Sequence, residues 1–250
     1  MALLVDVLKA KGLDCIDLVL FALPGVGDVG KNALELLNEA NDGSDVARFI
    51  HPGLPPLARL NEDGLLTPPH LIAHRIQTDN GKSILTITGR GQPSEPFQQH
   101  DFTTELLKHL ADHGMNEIVV LAGLMSTPEI KEAFAVATTS SHRVWLEEKG
   151  VDVRRDQPSG GAIGMSALMA SLAPLYGLKS VCAMATTVGA SGDVHASLRL
   201  LEFISGGWEL DVGLPVNTTS TLLKKLSALA PSSDSDHVRD LMEEPDAFYI

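Results

Sequence analysis

"FALPGVGDVGKNALELL", Phe21 to Leu37, decides how the rest of the chain is read. An apolar strand, Asp17–Leu23, runs into Pro24, and Gly25, Gly27 and Gly30 follow in the spacing G-x-G-x-x-G. The same letters read as G-x-x-x-x-G-K, with Lys31 in the lysine place. A helical pattern over Asp28–Ala40 completes a strand–turn–helix unit. Either motif would set an anion on the free N–H groups of a helix start. Gly25, Gly27, Gly30 and Lys31 are therefore the candidate anion loop.

Both motifs lack their partners. A dinucleotide site needs a carboxylate about twenty residues on, at the end of the second strand, for the ribose. That strand ends "ARFIHPG", with His51 and no acid. A P-loop needs Ser or Thr after the lysine to hold magnesium, and Asn32 stands there. The second metal-holding Asp should close another apolar strand, yet "ILTITGRG" and "IVVLAGLM" end without one. The glycines are better read as letting a strand turn sharply into a closely packed helix. No nucleotide, cofactor or metal is expected. A phosphorylase- or hydrolase-like enzyme with an anionic ligand on this loop is the alternative.

Working outward, strands are expected at Asp17–Leu23, Val46–His51, Ile72–Thr78, Ser83–Thr88, Glu117–Leu121, Phe134–Thr138 and Ser180–Met184. Helices are expected at Asp28–Ala40, Thr103–His113, Ser141–Lys149, Ile163–Tyr176, Val194–Ser205 and Thr218–Leu229. In "QTDNGKS", Asn80-Gly81 supplies the positive φ of a tight hairpin turn. Gly114 and Gly150 stop the helices before them. Strands alternating with helices predict an α/β fold, a mainly parallel sheet flanked by helices on both faces. A chain of 250 residues has ample length for one such domain, placed at 1–230.

Composition and motif absences remove several function classes. The net charge of −13 argues against nucleic acid, which is held by clustered Lys and Arg. No apolar run is long enough to span a bilayer, and "MALLVDVLKAKG" lacks the basic start of a secretory signal, so a soluble cytoplasmic protein is expected. The two cysteines, Cys15 and Cys182, sit in apolar runs and read as buried thiols. His109 and His113 in "LLKHLADHG" have metal-ligand spacing but read as solvated helix residues, and His70 and His74 as surface. No G-x-S-x-G elbow frames Ser159 or Ser166. "PSGGAIGMSALMASLA" is a second glycine-rich helix start, either an anion site or a small-residue packing face. No titratable cluster names a reaction, and the chain is not expected to be an enzyme.

The composition changes after Ala230. "PSSDSDHVRDLMEEPDAFYI" carries six acidic residues and little core material, so 231–250 reads as a flexible acidic tail. One helical turn around His237–Glu244 fits within it, capped by Asp236 and ended by Pro245. The last three residues, Phe248-Tyr249-Ile250, are apolar again, which a solvated tail does not need.

The ordered set of segments resembles the family of proteasome assembly chaperone 2 and its archaeal homologues. "LPGVGDVGKNALELL" is similar to the family's opening signature, and Leu54-Pro55-Pro56 to its following double-proline segment. Gly89, Gln92 and Pro93 in "GRGQPS" match a further element. "AFAVATT", then "GGAIGMSALMASLAPLYGLKSVCAMATT", then Asp193 before "VHASLRLLEFIS" resemble its second half. Arg90 departs from the acidic residue often found there, and Met184-Ala185-Thr186 lacks an acid often found near that strand end. The resemblance implies a nucleoside phosphorylase-like fold without an established catalytic site. It implies an oligomeric, ATP-independent factor for assembly of the proteasome core particle, with its α subunits as partners. Phe248-Tyr249-Ile250 resembles the terminal hydrophobic–Tyr–X motif by which proteasome activators and some assembly chaperones dock between α subunits. A gate regulator of the mature particle is the third reading.

Overall fold

A computed structural model describes residues 3–61 and 63–214. In chain order its strands and helices are β1 (Leu4–Val7), β2 (Leu18–Phe21), α1 (Val29–Ala40), β3 (Ser44–Ile50), β4 (Arg59–Leu60), β5 (Leu66–Thr67), β6 (Leu71–Gln77) and β7 (Ser83–Gly89). There follow α2 (Pro96–Asp112), β8 (Glu117–Met125), β9 (Ala133–Ala137), α3 (Ser140–Glu148), α4 (Met165–Leu172), β10 (Lys179–Thr187) and α5 (Val194–Trp208). The helix expected at Thr218–Leu229 and the acidic tail lie outside the described residues.

Eight strands form one sheet in the order β1-β3-β6-β7-β2-β8-β10-β9, and β4 and β5 form a separate two-stranded sheet. The pairs β7–β2, β2–β8 and β8–β10 are parallel; the flanking pairs are antiparallel. The parallel sheet read from sequence is thus the centre of a mixed one. The turn between β6 and β7 explains one flank, because Gly81 at φ +87 closes it in too few residues for a crossover. The strands β2 and β7 are buried along their whole length, as strands covered on both faces must be.

Helices lie on both faces. On one, Val19, Phe21, Ile87 and Val120 share a core cluster with Phe102 and Leu106 of α2 and Met165 and Met169 of α4. On the other, α1 and α5 pack on each other and on the sheet. Thr86 there donates from Oγ1 to Asn38 Oδ1 at 2.7 Å. Phe21, Phe49, Phe102 and Phe134 are fully buried, each contributing about 2–3 kcal/mol of transfer free energy.

Local expectations differ in several places. α2 begins at Pro96 rather than Thr103; a proline suits the first helical turn, but the exposed Phe97 hides the periodicity. The run expected as one helix to Tyr176 leaves α-geometry after Leu172 and ends in a 3-10 turn, Ala173–Tyr176. Cys15 is exposed in a turn at φ +53, whereas Cys182 is buried as expected. His109 is half-buried with its ring edge-on to Phe49, leaving His113 as the solvated one of that pair, and His74, expected at the surface, is half-buried 2.7 Å from Asp45. β1 and the β4–β5 hairpin have sequences too short to show a period.

Candidate functional site

In an open α/β sheet, ligands bind beyond the carboxyl ends of the strands where chain connections diverge. Here β2 leads through α1 towards β3 on one side, while β8 leads to β9 on the other. The crevice between β2 and β8 is therefore the place to look, and the glycine loop lies across it.

The loop fills that crevice with its own backbone. A Cβ on Gly123 of β8 would overlap the Val26 carbonyl, and a Cβ on Gly30 would overlap the Leu121 carbonyl. Only glycine lets the loop and α1 approach the strand this closely. Gly27 sits at φ +64, and a Cβ there would stand 2.9 Å from Thr187 Oγ1. The Gly27 carbonyl accepts from the Asp193 N–H at 3.1 Å. Asp28, at φ +53, accepts from Ser191 Oγ at 2.9 Å. Lys31 pairs with Glu35, one turn further along α1, at 2.6 Å. The residues read as an anion loop are thus brought together, but two carboxylates attend the turn and the one lysine is already paired.

Asp193 joins these parts. Its Oδ1 caps α5 by accepting from the Ala196 N–H at 3.0 Å, and its Oδ2 accepts from Thr187 Oγ1 at 2.6 Å. Burial works to raise its carboxyl pKa, but the Thr187 and Ala196 bonds and the Arg199 and His195 charges outweigh burial and hold it below the ordinary value.

The second glycine-rich start is closed from within. Gly164 precedes α4 at φ +89, and the Met165 N–H donates to Gln92 Oε1 at 2.8 Å. A side chain of this protein already takes the place of an anion there. Over the glycine loop the surface is apolar. Val26, Met125 and Val188 are exposed, and Met125 and Val26 both approach Gly189.

Elsewhere, Glu117 accepts from Trp208 Nε1 at 2.7 Å and lies 3.5 Å from His142 Nε2. Burial opposes ionisation of Glu117, but these hydrogen bonds and the His142 and Lys179 charges hold its pKa low. The cluster sits at the amino end of β8 and ties α3 and α5 to the sheet, a stabilising role. Among the described residues no group of three His, Cys, Asp or Glu is placed to hold a metal, and no helix is long and apolar enough to cross a membrane. Phe248, Tyr249 and Ile250 lie outside the described residues.

Sequence reading missed Thr187, Ser191 and Gly123 as partners of the loop. Gly123 carries the one usable signal, since a glycine inside an apolar strand marks close backbone approach.

Known proteins share this architecture. PbaB of Pyrococcus furiosus, an archaeal proteasome activator, superposes with a TM-score of 0.74 at 20% identity, covering 90% of this chain and 99% of that one. PbaA of the same organism, an archaeal homolog of proteasome-assembly chaperone, gives 0.70 at 21% identity over 90% and 96%. A proteasome-assembly chaperone homologue of Mycobacterium tuberculosis gives 0.65 at 15% identity over 90% and 100%. An uncharacterized protein of Methanocaldococcus jannaschii is 26% identical over 196 residues, 78% of this chain and 75% of that one. Residues 19–230 match the model of the PAC2 family, and the chain belongs to that family.

Proposed function

We propose that this chain is a proteasome-associated assembly factor that docks its C-terminal residues Phe248, Tyr249 and Ile250 on the α subunits of the core particle. The observation that carries the reading is the pairing of a PAC2-family body with that ending on an acidic segment. The chemistry suits it. A terminal carboxylate can accept a charge-assisted hydrogen bond from a lysine in the partner's pocket. Tyr249 offers a rigid ring with a polar tip, and Phe248 fills an apolar recess. As a flexible coil, residues 231–247 would span roughly 25 Å. Several copies of the tail on one homo-oligomer would raise its avidity.

The protein works without ATP and without a catalytic site, in the cytoplasm, on a nucleoside phosphorylase-like scaffold. Supporting this is the glycine loop, whose crevice is filled by Val26 against Gly123 and whose lysine is spent on Glu35. The exposed Val26, Met125 and Val188 offer a second contact for the partner. A gate regulator of the mature particle is the second reading, favoured by the likeness to an archaeal proteasome activator. Purified α and β subunits, mixed with and without the chain in ATP-free buffer, test the first. Assembly factors speed the appearance of core particle; a regulator leaves that rate unchanged and alters peptide hydrolysis by the finished particle.

A further inference from the structure

We infer that a groove on the antiparallel half of the sheet docks a peptide segment of a partner protein that presents a carboxylate among apolar side chains. The inference is independent of the tail. The groove encloses about 610 Å³ between the sheet and residues 54–61 and 63–70, within the range of binding clefts. Its floor is a cross-strand row, with Arg48 opposite Ile72 and Ile72 opposite Thr88.

Two polar groups in that row lack partners. Thr88 is only 4% exposed, and its Oγ1 makes no hydrogen bond; Arg48 Nε is buried without one as well. Buried hydroxyls without a partner are uncommon, because leaving one unmade costs more than a typical bond returns.

Charge favours an anion. Arg48 pairs with Asp6 at 3.4 Å, His74 with Asp45 at 2.7 Å and Glu35 with Lys31 at 2.6 Å. That leaves Arg59 and Arg90 on the lining with no ion-pair partner among the described residues, against one lining carboxylate, Asp63, that is likewise unpaired. On a chain of net charge −13, two free guanidinium groups in one groove are a local exception. Their fork geometry matches a carboxylate. A phosphate dianion would be repelled more strongly by Asp63, Asp45 and Glu35.

Apolar groups decide the source. Leu54, Pro55, Pro68 and Pro69 wall the groove, and the β4–β5 hairpin beside it exposes Leu60, Leu65 and Leu66 by 63–71%. A small free acid would leave those leucines uncovered, whereas a peptide can lie across them.

The test is fluorescence anisotropy on the full chain with a labelled, end-blocked Leu-Leu-Glu-Leu-Leu peptide, its Gln counterpart, and octanoate as the small acid. The Glu peptide should bind, and replacing its Glu by Gln should weaken it about tenfold. Arg59→Gln with Arg90→Gln, both exposed and safe for folding, should weaken the Glu peptide similarly and the Gln peptide hardly at all. Thr88→Val should add a smaller loss. Absence of binding, equal binding of the two peptides, or insensitivity to the arginine pair would overturn the inference. So would octanoate binding as tightly as the peptide.

Discussion

Gly30 lies so close under the Leu121 carbonyl that a side chain of any kind would overlap it. This contact separates the two meanings of the opening motif. If Gly30 serves packing, Gly30→Ala should lower stability by about 1–3 kcal/mol, the usual cost of overpacking. Lys31→Ala, which removes only an exposed pair with Glu35, should change stability by less than about 0.5 kcal/mol. Urea unfolding of both variants checks this. Calorimetry with ATP, GTP and NAD plus magnesium should show no heat for the parent; micromolar binding lost in Lys31→Ala would restore the phosphate-loop reading.

Asp193 makes the loop's stability depend on acid. Its folded carboxyl pKa is depressed. Its contribution is therefore complete above the unfolded value, about 3.9, and is lost as pH falls through the folded value. Asp193→Ala should cost about 1 kcal/mol at neutral pH through the lost cap of α5. Below pH 4 the gap between parent and variant should shrink. Thermal melts from pH 7 to pH 2.5 measure it; a gap constant with pH would remove the carboxylate from this role.

The two cysteines should part in reactivity. Burial pushes the Cys182 thiol up to about 12, so it is both shielded and protonated, while Cys15 is exposed. A thiol reagent should label one cysteine per folded chain at Cys15, and both only in denaturant. Rapid labelling of Cys182 in the native protein would mean that β10 opens readily.

Much of the fold was legible because it rests on local signals. The run that became β2 is apolar along its length, β8 is apolar after Glu117, β7 is rich in β-branched residues, and Asn80-Gly81 marked its hairpin. The antiparallel flanks were less visible, since pairing partners such as Arg48 and Ile72 are set by register rather than by neighbours in sequence. The glycine loop was legible as a turn, but its contents were not. Thr187 and Asp193 reach Gly27 only through the packing of β10 and α5. His109 misled because helical spacing does not tell which face meets Phe49.

Homo-oligomerisation should be visible in solution. The hairpin at Asn80 is partly engaged within its own chain, with Asn80 Nδ2 donating to the Glu209 carbonyl at 3.2 Å. The exposed Ile163 and Leu175, at the two ends of the α4 region, are the freer contacts. Light scattering at micromolar concentration should give a multiple of the chain mass, reduced by Ile163→Glu with Leu175→Glu. A monomer mass for the parent would count against the multivalent reading.

The account turns on whether the end of this chain holds the proteasome. Surface plasmon resonance with immobilised core particle compares the full chain, a chain lacking Tyr249-Ile250, and one extended by a glycine-rich tag that displaces the carboxylate. Circular dichroism confirms that each is folded. The full chain should bind, and both variants should lose binding by at least about a hundredfold, as loss of an aromatic anchor and a paired carboxylate implies. Undiminished binding by both variants would contradict the docking role.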